Sequence, residues 1–307
     1  MGYVNYHSTY KIAHLGLLPK LVLIKTHKCE ICVESKFARN PFKSIERSSE
    51  LLELVHSDLC DLKMTLTRGG RKYFITFIDD YSIFCYVYLL HSKDETTDVF
   101  KTYKNEVENQ KNKTLKMLRS DRGKEYESTT LSEFCALHGI VHQTIAPYTP
   151  QQNNIVERKN RTLKDMVHSM LNSSGLQQYM WGETLLTTNT ILNTIPHKKT
   201  SKSSYELWKG KLPSYKRLKM WGCLAKVQVL LPKRIKLRPK TIDCVFIGYA
   251  SNGSAYRFLV IKFKVPDTNN NIIMESIDAE FFEEIFPFKE RHNEIIKRKI
   301  DDSLPRT

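Results

Sequence analysis

Residues 71–92, RKYFITFIDDYSIFCYVYLLHS, decide the fold. β-branched and aromatic residues fill this run on both sides of a polar break at Asp79–Ser82, so it reads as two strands joined by a short turn. Upstream, LLELVHSDLC (51–60) reads as another strand. Downstream the period changes. In DETTDVFKTYKNEVENQ (94–110) Val99, Phe100, Tyr103 and Val107 recur at helical spacing, and acidic residues crowd the first turn, where the helix dipole favours them. A strand at TLKMLRSD (114–121), a helix at LSEFCALHGI (131–140) and a strand at VHQTIAP (141–147) follow. Strands first, then helix alternating with strand, predict an α/β fold with a mixed sheet flanked by helices.

The next segment, TPQQNNIVERKN (149–160), carries an N-cap, first-turn proline and capping-box signal in Thr149, Pro150 and Gln152. Val156, Leu163, Met166, Val167 and Met170 give its helix a buried stripe, while Glu157, Arg161 and Lys164 share another face. A second helix is expected in YMWGETLLTTNTILNTI (179–195), closed by a basic linker, HKKTSKSS (197–204). Strand patterns return at LAKVQVLL (224–231), TIDCVFIGYA (241–250), YRFLVIKF (256–263) and NIIMESIDAEFF (271–282), with SNGS (251–254) as a hairpin turn; four short strands suit a small barrel or sandwich. The expected division is 1–44, 45–175 for the main α/β core, 176–218 for the helical extension and linker, 219–288 for a small β-rich domain, and 289–307 for a charged tail.

The 307 residues carry a formal net charge of +15 with 41% hydrophobic content, enough for a buried core and suited to a polyanionic partner through counterion release. No apolar run approaches the roughly 20 residues that cross a bilayer, and the first residues lack a signal-peptide core, so an intracellular protein without a membrane role is expected. Cys60, Cys85, Cys135, Cys223 and Cys244 sit singly in apolar stretches and are expected to be reduced core residues. Cys29 and Cys32 form a C-x-x-C pair preceded by His7, His14 and His27. That set could hold one tetrahedral zinc ion, or the pair could be a plain turn or a redox couple. His7 and His14 lie about 10.5 Å apart on an unbroken helix, so a zinc site needs a break between them or His27 in place of one.

Three acids fall where strands end or a helix begins: Asp58 in HSDLCD, Asp121 in RSDRGKEY, and Glu157, spaced D-x62-D-x35-E. Carboxylates are the preferred protein ligands of hard cations, and two such cations about 3.5 to 4 Å apart can clamp the attacking and leaving oxygens of a phosphoryl displacement. Asp79 and Asp80 are expected to serve the turn or the fold, and Glu125, four residues after Asp121, either to help the site or to be a surface carboxylate.

The words around these acids carry a resemblance: HLGLLPKL and CEICVESK, then LVHSDLC, FITFIDDYSIF, LRSDRGKEY, HGIVHQTIAPYTPQQNNIVERKNRTL, MWGETLLTTNTILN, SSYELWKGKLPSYKRLKMWGC and KLRPKTIDCVFIGYA, all in one order. The chain resembles the integrase of copia-type retrotransposons over nearly its whole length. The resemblance implies an amino-terminal zinc-binding pre-integrase region with ligands His7, His14, Cys29 and Cys32, a ribonuclease-H-like core, and a basic carboxy-terminal part. It implies Asp58, Asp121 and Glu157 as the triad for two Mg²⁺ or Mn²⁺ ions. The activity implied is 3′-end processing followed by strand transfer into target DNA, performed in the nucleus by a homo-oligomer on double-stranded DNA. Arg158, Lys159, Arg161 and Lys164 are then expected to meet DNA phosphates. The family pattern is broken in three places. SDRGKEY replaces the usual SDNGGEF and sets the cations Arg122 and Lys124 beside a metal ligand, Asn154 replaces a glycine, and Thr9 stands where a His-x4-His pair would place its first histidine. Those departures keep open a second reading, a DNA-binding remnant that performs no strand transfer.

Overall fold

Alternation of large apolar side chains builds the first sheet. β1 (Val55–Asp61), β2 (Tyr73–Asp79) and β3 (Cys85–Leu90) form an antiparallel meander, and β4 (Met117–Ser120) and β5 (Val141–Thr144) add on parallel to β1. The order is β3-β2-β1-β4-β5, the mixed sheet expected from the sequence. The computed structural model of the protein describes residues 14–15, 47–62, 65–145, 154–198, 200–228, 240–251, 253–262 and 272–289. Residues 47–307 form a compact unit of their own, distinct from residues 1–46. No helix among the described residues is long and apolar enough to cross a membrane.

Each face of the sheet carries a separate core. On one, Phe77, Ile75 and Leu118 pack under Phe100, Tyr103 and Val107 of α1 (Thr96–Lys111) and Leu131 and Cys135 of α2 (Thr129–Leu137). Phe77 stacks on Tyr103 with ring centroids 4.4 Å apart, a contact that adds about 1 kcal/mol to simple area burial. On the other face Cys60, Phe74 and Ile78 meet Val156, Leu163 and Val167 of α3 (Asn154–Ser174) and Trp181 and Leu185 of α4 (Trp181–Thr194). The stripe read for α3 is therefore the face it buries, with Met166 and Met170 half-buried at its margin. The first turn signalled by Thr149, Pro150 and Gln152 lies outside the described residues.

The basic linker ends in an element that the sequence reading missed. α5 (Ser204–Lys209) is capped by the Ser203 hydroxyl, which accepts from the Glu206 N–H, and stopped by Gly210 in the left-handed region. Its Trp208 stacks on Phe84 at 5.3 Å and closes the β3 edge of the first core. The signals were present in S-x-x-E and the following glycine.

The second sheet has five strands, not four: β6 (Leu224–Gln228), β7 (Thr241–Tyr249), β8 (Tyr256–Lys262), β9 (Ile273–Ser276) and β10 (Ala279–Phe282), all antiparallel in the order β10-β6-β7-β8-β9. NIIMESIDAEFF is broken at Ile277–Asp278, where the Ser276 hydroxyl meets the Asp278 N–H. Only two residues join the opposite edge strands β9 and β10, so the sheet must curl until its edges approach, the condition for a small barrel. This sheet docks on the helices. The Thr187 hydroxyl of α4 donates to the Ile247 carbonyl at 3.1 Å, Arg257 pairs with Glu183 of α4 at 2.8 Å, and Gly222 (φ 86°) lies where a Cβ would strike Ser174 at the end of α3. The five cysteines expected in cores are all buried and free.

Candidate active site

The carboxylates sit where the first sheet opens. β1 and β4 pair through Val55 with Leu118 and His56 with Arg119; two residues beyond that last pair stand Asp58 and Asp121. Alternation along β1 turns Asp58 toward α3, on the side of His56 and Cys60. There Asn160 Nδ2, from the second turn of α3, donates to Asp58 Oδ2 at 2.8 Å, and Cys60 Sγ donates weakly to the same oxygen at 3.7 Å. Burial pushes the Asp58 carboxyl up from its ordinary value; the Asn160 amide offsets part of this, and the charge of Asp121 raises it further. Asp121 is also pushed up by burial, opposed by a Gly123 N–H donated to its Oδ1 at 3.1 Å and reinforced by Glu125. The structure thus brings Asp58 and Asp121 into electrostatic contact in partly desolvated surroundings.

Glu157 is not gathered with them. It lies exposed on the first turn of α3, three residues before Asn160 and about 4.5 Å along the axis from it, and among the described residues no three His, Cys, Asp or Glu side chains stand close enough to hold a metal ion. Of the expected triad, the described residues therefore bring Asp58 and Asp121 together and leave Glu157 apart. Two acids already repel each other across the sheet opening, and in that setting a third carboxylate is more stable in water. The Asp58–Asp121 pair nevertheless fits a divalent cation. Both groups are hard oxygen donors, and a cation would offset both the repulsion and the burial that hold the two carboxyls up.

Arg158, Arg161 and Lys164 are exposed along α3, and the Lys164 charge is felt at Asp58. Lys159 differs. Its ammonium is half-buried and lowered by that burial, with the sulfur of Cys85 on β3 nearby, so its position about 100° around the helix from Arg158 turns it away from the exposed row. Arg122 does not crowd Asp121: its Nε donates to the Ile145 carbonyl at 3.1 Å, and the cation that acts on Asp121 is Lys93. Lys124 is exposed. Of the zinc set, His7, His27, Cys29 and Cys32 lie outside the described residues, and His14 is exposed.

Asp79 and Asp80 are bound into the fold, as expected. Asp79 Oδ1 accepts the Leu52 N–H, its Oδ2 accepts both the N–H and hydroxyl of Ser82, and Asp80 accepts from Ser48 N–H and meets His56 Nε2 at 3.0 Å. Sequence reasoning missed Asn160, Cys60 and Lys93. For Asn160 the signal was its place three residues after Glu157, on the same helical face.

Residues 51–150 match the family model described as integrase core domain, and residues 223–294 match the retroviral polymerase SH3-like domain. The retrovirus-related Pol polyprotein from transposon TNT 1-94 of Nicotiana tabacum is 37% identical over 279 residues, covering 90% of this chain and 21% of that protein. The corresponding Pol polyprotein from transposon RE2 of Arabidopsis thaliana is 29% identical, covering 87% of this chain and 18% of its own length. The chain therefore spans about a fifth of the curated relatives it matches. Among solved structures, a chain of the simian T-cell lymphotropic virus intasome in complex with PP2A regulatory subunit B56 gamma matches at TM-score 0.51 and 14% identity, over 84% of this chain and 85% of that one, a likeness of fold.

Proposed function

We propose that this chain, which belongs to the integrase core domain family through residues 51–150 and carries a retroviral polymerase SH3-like domain behind it, is the integrase of a copia-type retrotransposon and joins element ends to target DNA. The observation that carries the reading is the meeting of Asp58 and Asp121 at the open end of the sheet, with Asn160 fixing one oxygen of Asp58.

Two displacements at phosphorus make up the reaction. Water attacks a phosphodiester near the 3′ end of the element, the P–O bond to the 3′ oxygen breaks, and that oxygen leaves as a hydroxyl. The freed 3′-hydroxyl then attacks a target phosphodiester, one P–O bond forms as another breaks, and the proton of the attacker passes to solvent while the leaving oxygen gains one. Bond count is conserved, so no nucleotide cofactor is needed. Bound Mg²⁺ or Mn²⁺, two ions by analogy with such displacements, would supply charge stabilisation to both oxygens. Asp58 and Asp121 would hold them, and Glu157 would complete the set by turning inward from the exposed first turn of α3. Asn160 keeps Asp58 in one rotamer, leaving its second oxygen for a ligand. Arg158, Arg161 and Lys164 lie in line for the phosphates of a duplex laid along α3; Lys159 is left out of that contact set. By the same resemblance, the proposal includes action in the nucleus as a homo-oligomer on double-stranded DNA and a single zinc ion held in residues 1–44.

A second reading, DNA binding without strand transfer, is favoured by the exposed Glu157. Purified protein incubated with Mn²⁺ or Mg²⁺ and a labelled duplex of the element's end separates the two. Joined products support the integrase; retention of DNA on a filter with no joining supports the binding-only protein.

Two further outcomes are expected. Replacing both Arg161 and Lys164 by Ala should weaken binding uniformly across sequences and reduce the slope of log affinity against log salt by about 2, at roughly 0.9 per phosphate contact. An unchanged slope would remove both residues from the interface. Divalent-cation binding should strengthen as pH rises from the ordinary Asp value of 3.8 through the raised values of Asp58 and Asp121, because the cation displaces their protons. The same two carboxyls contribute to stability fully below their unfolded value, and that contribution is lost as pH rises through the folded one. Mn²⁺ titrations across that window showing a flat affinity would contradict the assignment.

A further inference from the structure

The pairing of β1 with β4 ends at His56 and Arg119, two residues short of the carboxylates on both strands. Something else must set the distance between Asp58 and Asp121. Directly beyond the last pair, on the face of β1 opposite Asp58, the Ser57 hydroxyl meets the Tyr126 hydroxyl at 2.7 Å, and both residues are buried. Tyr126 closes the short loop that begins at Asp121: its N–H donates to the Gly123 carbonyl at 2.8 Å, and the Gly123 N–H donates to Asp121 Oδ1 at 3.1 Å. An unbroken series of hydrogen bonds therefore runs from the Asp121 carboxylate through Gly123 and Tyr126 to Ser57, whose neighbour in the chain is Asp58. The Tyr126 ring is wedged in the first core beside Leu118 and Leu131, so the phenol cannot swing away without opening that packing. The charges of Asp58, Asp121 and Glu125 all act on the phenol, which places it directly behind the site.

We propose that Tyr126 and Ser57 are positioning residues that fix the separation of Asp58 and Asp121 for divalent cations, an inference that rests on the integrase reading above. The pair touches neither substrate nor cation; it acts by tying the loop of one carboxylate to the strand of the other where the sheet ladder has ended. Mg²⁺ demands near-ideal octahedral geometry, so a small error in carboxylate spacing should harm Mg²⁺ more than a more tolerant cation. Loss of a hydroxyl that served only packing would lower activity with both metals alike.

The test compares wild type with Tyr126→Phe, Ser57→Ala and the double variant, and uses Asp121→Asn as the reference that lacks a ligand. Each hydroxyl deletion keeps the side chain's bulk or reduces it by one oxygen, so folding should survive, checked by thermal melting. Free Mn²⁺ is read by electron paramagnetic resonance in the absence of DNA, and joining is measured in Mg²⁺ and in Mn²⁺. Each single variant should weaken Mn²⁺ binding about fivefold and lower Mg²⁺-supported joining more than Mn²⁺-supported joining, and the double variant should be no worse than the more affected single, since both remove the same bond. Wild-type affinity and an unchanged metal ratio in Tyr126→Phe, with binding lost in Asp121→Asn, would overturn the positioning role and leave the metal site standing. Losses that add in the double variant would overturn it too. Equal Mn²⁺ binding by wild type and Asp121→Asn would instead bring down the metal-site reading, and the inference with it.

Discussion

Asp121→Asn is expected to lower strand joining at least about a thousandfold, equivalent to some 4 kcal/mol of lost transition-state stabilisation, while leaving the melting temperature nearly unchanged. The argument for an intact fold is local. Asp121 Oδ1 accepts one hydrogen bond, from Gly123 N–H, and the amide oxygen of asparagine accepts the same bond in the same place. What disappears is the charge. A carboxamide offers a cation one neutral oxygen where a carboxylate offered an anionic pair, so a hard divalent ion loses its strongest attraction at the site. A second readout follows from electrostatics alone: the charge of Asp121 contributes to the raised carboxyl of Asp58, so in the variant Asp58 should titrate lower, nearer the usual carboxylate range. Filter retention of DNA should persist, since Arg161 and Lys164 are untouched. Joining by the variant at the wild-type rate would remove Asp121 from the chemistry, whatever its neighbours suggest.

Much of this geometry was legible because it is periodic. The β-branched and aromatic run in residues 71–92 gave β2 and β3 with their break, and the spacing of Phe100, Tyr103 and Val107 gave the buried face of α1. The parallel register of β1 with β4 is a tertiary fact, and the sequence gives no local sign that Asp58 and Asp121 stand two residues past the same rung. Polar side chains that act across elements are equally silent. Asn160 reads as an ordinary helical residue until α3 is laid on β1, and the partnership of Ser57 with Tyr126 spans sixty-nine positions. Glu157 shows the opposite failure. Its place in the motif is plain, yet among the described residues no hydrogen bond directs this exposed first-turn carboxylate inward, and motif spacing cannot say which way it points. α5 was overlooked because a short helix in a lysine- and serine-rich stretch has little periodicity, although its caps and the bulk of Trp208 were visible.

Asp79→Ala should be strongly destabilising, by about 3 kcal/mol or more, enough to lower the melting temperature by roughly 6 to 12 °C. The FIDD pair resembles a catalytic motif in composition, but its bonds are structural. Asp79 takes the N–H of Leu52 on one oxygen and the N–H and hydroxyl of Ser82 on the other, all buried. Leu52 and Ile83 both have positive φ, 64° and 58°, a conformation that costs a branched side chain dearly and persists only where surroundings over-determine it. Leu52 is held by the Asp79 side chain directly, and Ile83 follows the Ser82 that Asp79 anchors and gives its own N–H to the Asp79 carbonyl. Removing the carboxylate orphans two buried N–H groups and releases both strained residues at once. Asp79→Asn, which keeps one acceptor, should recover part of the loss. Joining per folded molecule should stay near wild type in both variants, in contrast to Asp121→Asn. A stable Asp79→Ala protein that has lost joining would reverse the two assignments, making Asp79 the chemical acid and leaving the strained turn to be held by something else.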